Sequence, residues 1–463
     1  MTTEAVLPAA PPPSGEATRE QKSWYWYDWA NSAYVTTTAT VLMAPYLTSV
    51  ATEAACPGLA DGAVCLETLD VLGVPIAPGS LFAYTATVST LISTIVLIIV
   101  GAIADRSPRP TRMLAGFAWV GALAASLMFF VMGTNWQLGV LLLVVANLCL
   151  GCSLVIYDSL LVRIASPDDR DRVSSRGWGF GYLGGGLLLA LNFLLDIFHT
   201  RLGLDRSTST RLSLLSAGVW WGVFTLVPVL GLRHVGGTLA PPVDRAKGVV
   251  RGSLAQLAST FRDLRLYPQT LLFLLAYLFF NDGIQTVIGN SSLYASEELD
   301  FPQQTVLGIF LFVQFVAFFG ALLFGRIAAR VGAWRTVLGS LVVWTAIVVV
   351  AFFVPARSLV LFAALALFIG LVLGGSQALS RSMYSQLIPR GREAEFFSLY
   401  QAMERGTSWF GTLTFGLVFQ FTHSYRWAIA ALVVFFLVGG LLLSRVRMRE
   451  GILAAGNPVP TIV

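Results

Sequence analysis

Residues 150–192 read LGCSLVIYDSLLVRIASPDDRDRVSSRGWGFGYLGGGLLLALN, and this order of features organises the whole chain. A small-residue start leads into an apolar helix with Asp158, then a charged turn, then a glycine-rich apolar run. The same order returns 223 positions later, where residues 373–376 (LGGS) lead into a helix with Arg381 and another charged turn. Self-similarity at half the chain length is typical of a duplicated membrane bundle.

Composition agrees with a membrane protein. Hydrophobic residues make up 56% of the chain and charged residues 12%, with a mean hydropathy of +0.73. A soluble globular protein has about 25% charged residues. A span needs roughly 20 apolar residues, so 463 residues hold two bundles of about six spans. We predict an all-α polytopic membrane protein with twelve transmembrane helices in two pseudo-symmetric six-helix bundles.

The apolar runs place the spans near 25–50, 81–104, 113–133, 137–164, 177–198, 212–232, 269–295, 303–328, 334–354, 358–388, 396–421 and 425–444. No short apolar core with a cleavage site precedes the first span, so we expect no removable signal peptide. The predicted parts are a disordered cytoplasmic tail, the first bundle, a cytoplasmic linker, the second bundle and a second cytoplasmic tail, at 1–22, 23–232, 233–267, 268–445 and 446–463.

Charge predicts the orientation. With the N-terminus inside, 24 of the 30 Lys and Arg residues fall on the inner side, five on the outer side, and Arg405 within a span. This bias follows the positive-inside rule, although the 199–211 loop carries three of the outer arginines. Both termini are therefore predicted to be cytoplasmic. The net charge of +5 needs no nucleic-acid partner, because the basic residues lie where lipid head groups are.

The four cysteines form two pairs. Cys56 and Cys65 share a predicted outer loop, where an oxidising compartment allows a disulfide; the sequence leaves open whether it forms. Cys149 and Cys152 have CxxC spacing within an apolar helix, which favours packing over metal or redox chemistry. Residues 179–184 satisfy GxGxxG, but within a predicted span, so the glycines there indicate close helix approach rather than a dinucleotide site.

Polar residues within spans are costly in lipid and mark a pathway, a relay or a buried pair. Spans one and seven occupy equivalent places in the two halves, and each carries an amide–carboxylate cluster. The candidate substrate or ion pathway consists of Asp28, Asn31, Tyr34, Asp158, Asn281, Asp282, Gln285, Arg381 and Glu404.

Asp158 and Arg381 are related by the 223-residue shift and have opposite charge. Residues at equivalent places in two halves can face each other, so we hypothesise that they form a contact that changes during transport. The alternative is that each is satisfied within its own half. Glu404 is a candidate proton carrier, because a carboxylate buried in lipid costs less when protonated; a salt bridge to another helix is its alternative.

The short turn after span two predicts a cytoplasmic gate. An acid beside arginines at helix ends can hold one face closed through charge-assisted hydrogen bonds that break on opening. The candidate gate residues are Asp105, Arg106, Arg112 and Arg330. A solvated turn that anchors the chain to lipid head groups is the alternative.

Two six-span halves, the turn after span two and a glycine-rich span five resemble the major facilitator superfamily. Residues 27–34 (YDWANSAY), 171–186 (DRVSSRG followed by GYLGGG) and 376–382 (SQALSRS) resemble the branch related to the autophagy-associated vacuolar amino-acid effluxers. The resemblance implies a major facilitator fold and transport of a small solute. Arginine-rich, lysine-poor usage is closer to a bacterial member, which implies the plasma membrane.

We therefore expect a secondary active transporter that works by alternating access, with amino-acid efflux as the inherited function and proton coupling resting on the intramembrane carboxylates. We expect a monomer in the bilayer with a small-molecule substrate, no metal and no cofactor. A membrane enzyme is disfavoured, because the three histidines are far apart in sequence and the loops lack a paired catalytic pattern. A lipid or amphiphile transporter or scramblase, or a non-transporting receptor on the same fold, is the alternative.

Overall fold

The computed structural model of the chain describes residues 17–58, 65–236, 264–406 and 408–463. Almost all of these residues are helical, apart from one short hairpin. The helices are α1 (Arg19–Ala33), α2 (Met43–Ala55), α3 (Leu81–Asp105), α4 (Pro110–Leu127), α5 (Trp136–Ile164), α6 (Arg170–Phe198), α7 (Arg206–Phe224), α8 (Leu226–Gly231), α9 (Pro268–Leu293), α10 (Gln303–Val331), α11 (Ala333–Phe353), α12 (Leu359–Gln386), α13 (Glu393–Gly406), α14 (Ser408–Thr422), α15 (Tyr425–Ala430), α16 (Val433–Arg445) and α17 (Met448–Ala454).

Ten helices of the described ranges are long and apolar enough to cross a membrane, and they match predicted spans two to ten and twelve. Two further helical runs occupy the positions of spans one and eleven. In the first, π-helical turns at Tyr34–Leu42 join α1 to α2; the second consists of α13 and α14. These two runs carry three of the charged residues within the predicted spans, Asp28, Glu404 and Arg405.

The helices form two halves, each with its own apolar core. One core draws on the helices from α1 to α7 and the other on those from α9 to α17. Between the halves, α3 packs against α13, and α6 packs against both α10 and α12. The predicted duplication thus gives two bundles that meet along equivalent helices.

The glycines of α6 allow a close helix approach, as the sequence predicted, and the structure shows that the partner is α1. A Cβ on Gly181 would lie 2.7 Å from Ser32 Oγ, and one on Gly184 would lie 2.7 Å from the carbonyl oxygen of Trp29. Neither site has room for a side chain, because real Cβ atoms do not approach other atoms so closely. The GxGxxG string therefore serves helix packing.

The two faces of the molecule differ in construction. We call the face at which α1 begins and α17 lies the terminal face. The opposite face carries a hairpin of β1 (Leu69–Val71) and β2 (Val74–Ile76), paired antiparallel. Beside it, Cys56 and Cys65 form a disulfide with a Cα–Cα distance of 6.0 Å. Cys149 and Cys152 are free and buried.

Much of segment 446–463, expected to be a tail, packs on the second half instead. Ile452 in α17 is fully buried. Past the helix, Asn457 Nδ2 donates to the carbonyl oxygens of Gln386 at 2.9 Å and Ile388 at 2.7 Å. α17 is too short to span a membrane, so hydropathy did not predict that this segment would pack on the bundle. The predicted tail at 1–22 and linker at 233–267 fall largely outside the described residues.

Candidate functional site

Arg381 is the centre of a buried ion cluster that joins the two halves. Its Nη1 lies 3.2 Å from Asp158 Oδ1 in α5, and its Nη2 lies 3.2 Å from Asp28 Oδ2 in α1. Buried ion pairs need further hydrogen bonds to offset desolvation. Tyr157 Oη donates to Asp28 at 2.7 Å, and Arg381 Nε donates to Ser174 Oγ at 3.0 Å. The residues related by the 223-residue shift are therefore in contact, and Asp28 joins them.

Aromatic rings enclose the guanidinium group. It lies 4.7 Å from the ring centroid of Trp24, 5.4 Å from that of Trp178 and 5.5 Å from that of Tyr157. Cation–π attraction strengthens when the cation is removed from water, as it is here. All three rings belong to the first half, while Arg381 belongs to the second. The enclosure adds to the force that keeps the halves together.

A chain of hydrogen bonds leads from the cluster towards the middle of the protein. Asp158 Oδ2 accepts from Gln401 Nε2 at 2.8 Å, and the same Nε2 lies 3.4 Å from Glu404 Oε2. Arg405 Nε donates to Gln401 Oε1 at 3.3 Å. One amide side chain thus connects the ion cluster to the acid and the base of α13.

Two adjacent cavities lie between the halves, on the side of the cluster away from the terminal face, and we call them the two lobes of one cavity. The lobes share Val35, Gln285 and Glu404. One lobe, of about 230 Å³, is mainly apolar and aromatic, with walls that include Trp178, Tyr182, Ile309, Phe310, Val313, Phe362, Ala366 and Ile369. The other, of about 270 Å³, is lined by small and polar residues and by a charged pair: Ser89, Thr90, Ser93, Asn147, Glu404 and Arg405.

Some predicted pathway residues line this cavity and others support its walls. Gln285 and Glu404 line both lobes. Tyr34 Oη donates to Asn147, and Asn281 Oδ1 accepts from Gln377, so Tyr34 and Asn281 each bond a lining residue.

Asn31 and Asp282 have other surroundings. Asn31 Nδ2 donates to the Tyr27 carbonyl oxygen within α1 at 2.6 Å. Asp282 lies among neither set of lining residues. Its Oδ2 accepts the N–H of Gly411 in α14 at 2.7 Å, and its Oδ1 has no hydrogen-bond partner within the described ranges. Its amide–carboxylate motif gave no indication that the carboxylate would bond to the backbone of α14.

The terminal face is closed by two contacts between the halves. Asp105 at the end of α3 accepts the N–H groups of Ala394 at 2.9 Å and Glu395 at 2.8 Å, at the start of α13. A carboxylate is favoured there by the helix dipole. At the start of α6, Asp171 Oδ1 accepts from Ser382 Oγ at 2.5 Å.

Two glycines at matching positions let α3 approach α13 and α10 approach α6 near this face. A Cβ on Gly101 would lie 2.9 Å from Ser398 Cβ, and one on Gly325 would lie 2.8 Å from Ser175 Cβ. The pairs α3–α13 and α6–α10 therefore pack in the same way, as the 223- and 224-residue shifts imply.

The residues predicted for the gate differ in burial. Asp105 is buried, whereas Arg106, Arg112 and Arg330 have exposed side chains on the terminal face. The contact that Asp105 makes across the halves is to backbone N–H groups. Its position at a helix end was readable from the sequence, but its partners, 289 and 290 residues away, were not.

Three further contributors were not among the predicted site residues: Trp24, Ser174 and Gln401. Gln401 precedes Glu404 by three residues, so a helical projection puts both on one face. Trp24 lies four residues before Asp28 and shares its face in the same way. Ser174 gave no such signal, because it contacts Arg381 through the tertiary fold.

Comparison with known proteins identifies the fold. The chain aligns with a bacterial homologue of the iron transporter ferroportin in an outward-facing state, at a TM-score of 0.64 and 15% identity, over 92% of this chain and 99% of that one. It aligns with the proton:xylose symporter XylE, of the major facilitator superfamily, at 0.64 and 12%, over 92% and 95%. The chain therefore has the fold of the major facilitator superfamily.

Sequence comparison gives the family. The model described as "Vacuole effluxer Atg22 like" matches residues 16–456, so the chain belongs to the Atg22-like family. It is 28% identical to the uncharacterized MFS-type transporter YxiO of Bacillus subtilis over 92% of this chain and 94% of that protein. It is 26% identical to autophagy-related protein 22-1 of Penicillium rubens, over 94% and 90%.

Proposed function

We propose that this transporter exports small zwitterionic solutes with an apolar side group, amino acids among them. The observation that carries the proposal is the two-lobed cavity. In the polar lobe, Glu404 can receive an ammonium group and Arg405 a carboxylate, while the neighbouring lobe suits an apolar side group. The family description as an effluxer supports the direction.

Closure of the terminal face supports an alternating-access mechanism. In the conformation described here, the Asp105 and Asp171 contacts and the Arg381 cluster hold the terminal face together. For a solute to leave the cavity on that side, these contacts must break while the opposite side closes. The positive-inside bias supports a cytoplasmic terminal face, and the Bacillus relative supports a bacterial plasma membrane.

Proton coupling is part of the proposal. Glu404 lines both lobes, so a proton that enters the cavity can reach it. With Glu404→Gln, an imposed pH gradient should no longer drive accumulation of solute. Accumulation that persists in this variant would exclude Glu404 as the proton site. We expect the transporter to work as a monomer, because the cavity is complete within one chain.

Counterflow in proteoliposomes tests the substrate class. Vesicles loaded with mixed amino acids should take up single labelled amino acids in a saturable way, and Glu404→Gln should raise KM about tenfold by removing a charged partner. Glu298→Gln is the matched control, because Glu298 bonds to Arg426 away from both lobes.

Uptake lost equally in both variants would argue against a site at Glu404. Lack of exchange for every amino acid in folded protein would overturn the substrate class. Movement of labelled lipid between leaflets would then indicate a lipid or amphiphile transporter or scramblase. Saturable binding without movement of any solute would indicate a receptor.

A further inference from the structure

Gln401 contacts both the ion cluster and the residues that line the polar lobe of the cavity. Its amide is almost fully buried. Only one orientation of the amide gives hydrogen-bond partners to both its NH₂ group and its carbonyl oxygen. The NH₂ group points to the carboxylates of Asp158 and Glu404, and the carbonyl oxygen points to Arg405. Reversing the amide would set its oxygen against two carboxylates, so the geometry fixes the assignment.

The three bonds of this amide differ in length and in where they lead. The shortest, 2.8 Å, crosses from α13 to Asp158 in the first half. The two longer ones, 3.4 and 3.3 Å, go to Glu404 and Arg405, which line the polar lobe. Asp158 is thus held by two residues of the second half, Arg381 at one oxygen and Gln401 at the other.

A zwitterionic solute in the polar lobe would compete for both of the longer bonds. Its ammonium group would take Glu404 and its carboxylate would take Arg405. The buried carbonyl oxygen of Gln401 would then lack a donor, and a buried polar group without a partner is costly. Rotation of the side chain to find a new partner would lengthen its bond to Asp158.

We propose that Gln401 is a positioning residue that couples occupation of the cavity to release of the ion cluster. An empty cavity leaves the amide bonded to Asp158 and the terminal face closed; an occupied cavity draws the amide away and eases opening. This inference rests on the proposed transport of zwitterions. With this coupling, a transporter with solute in its cavity changes conformation faster than an empty one.

The test compares counterflow with net efflux in the same proteoliposomes. Net efflux requires the empty carrier to reopen, whereas counterflow does not. Gln401→Met keeps the size and removes the hydrogen bonds, so the ratio of counterflow to net efflux should fall about fivefold, the effect of one lost hydrogen bond. Gln21→Met is the control, since Gln21 is equally buried and its amide bonds Ile164 within the first half.

A second readout does not depend on transport. A cysteine at Ser398, which is buried beneath Gly101, should react with a thiol reagent only when the terminal face opens. In otherwise unchanged protein, added solute should raise this reactivity. With Gln401→Met, reactivity should already be high without solute and should not rise further.

Other outcomes would contradict either the role of Gln401 or the proposed substrates. An unchanged flux ratio in folded Gln401→Met protein would overturn the coupling role. A fall of the same size in Gln21→Met would do so too. If Gln401→Met does not fold, Gln401→Glu replaces it in the test. Glutamate keeps the size and adds a third carboxylate beside those of Asp158 and Glu404, so the ratio of counterflow to net efflux should fall by more than it would with methionine. Absence of counterflow in unchanged protein would instead remove the proposed substrates, and Ser398 reactivity without solute would still test Gln401.

Discussion

The carboxylate of Asp105 accepts the backbone N–H of Ala394 at 2.9 Å, across the boundary between the two halves. An acid at the end of one helix thus contacts the start of another, 289 residues away in sequence. The donor and the acceptor belong to different bundles. This hydrogen bond can therefore exist only while the terminal face is closed. Its strength therefore contributes directly to the balance between the two transport conformations.

Removing that carboxylate should favour the open terminal face. Asp105→Ala deletes two charge-assisted hydrogen bonds, each worth about 1.5–3 kcal/mol, so the open population should rise by tenfold or more. Reactivity of a cysteine placed at Ser398 measures that population.

Asp205→Ala is the matched control for this variant. Asp205 accepts the N–H of Thr208 at 3.0 Å within its own half, and side-chain hydrogen bonding to Thr208 lowers the pKa of its carboxyl. Both carboxylates cap helix starts, but only Asp105 joins the halves. Equal reactivity in the two variants would show that loss of capping, rather than loss of the contact between halves, is responsible.

A larger residue at Gly101 should prevent closure of the terminal face. In Gly101→Val the new Cβ would meet Ser398 Cβ at 2.9 Å, so α3 and α13 could not pack as they do. We expect the fold to survive, counterflow to fall at least tenfold and Ser398-site reactivity to rise. Gly116→Val is the control, because nothing lies within 4 Å of a Cβ there. Normal counterflow in Gly101→Val would refute the closure contact.

Neutralising the ion cluster should produce strongly non-additive losses. Asp158→Asn leaves Arg381 with one carboxylate, and Arg381→Gln leaves Asp28 and Asp158 as a buried pair of like charges. Breaking a buried pair costs about 3–5 kcal/mol, so each single variant should lower Tm clearly. The double variant should lose less than the sum, by about 1–3 kcal/mol. Additive losses in thermal unfolding and counterflow would show that the two residues act independently.

The apolar lobe should set the size of the side group that is carried. Ala366 is buried and lines that lobe, so Ala366→Phe fills part of its roughly 230 Å³. Counterflow of solutes with large apolar side groups should fall about tenfold, while small ones should be retained. Ala346→Phe, on an exposed face of α11, is the control. Equal loss for large and small solutes would place the size filter elsewhere.

The span pattern was predictable because hydropathy and span length act locally along the chain. The pairing of Asp158 with Arg381 was also predictable, since duplication relates equivalent positions. Long-range contacts were not predictable: the carboxylate of Asp282 accepts a hydrogen bond from Gly411 in α14, 129 residues away. The polar lobe depends on Asn147 and Arg405 from different halves, and no sequence period brings those two together.

The cluster of Asp158 and Arg381 also has a consequence for how the halves recognise each other. Two copies of the first half, arranged as the halves are here, would set Asp158 against Asp158; two copies of the second would set Arg381 against Arg381. Either homodimer would bury like charges without a counter-ion, whereas the native combination neutralises them. If the two halves were expressed as separate polypeptides, each should select the other over itself.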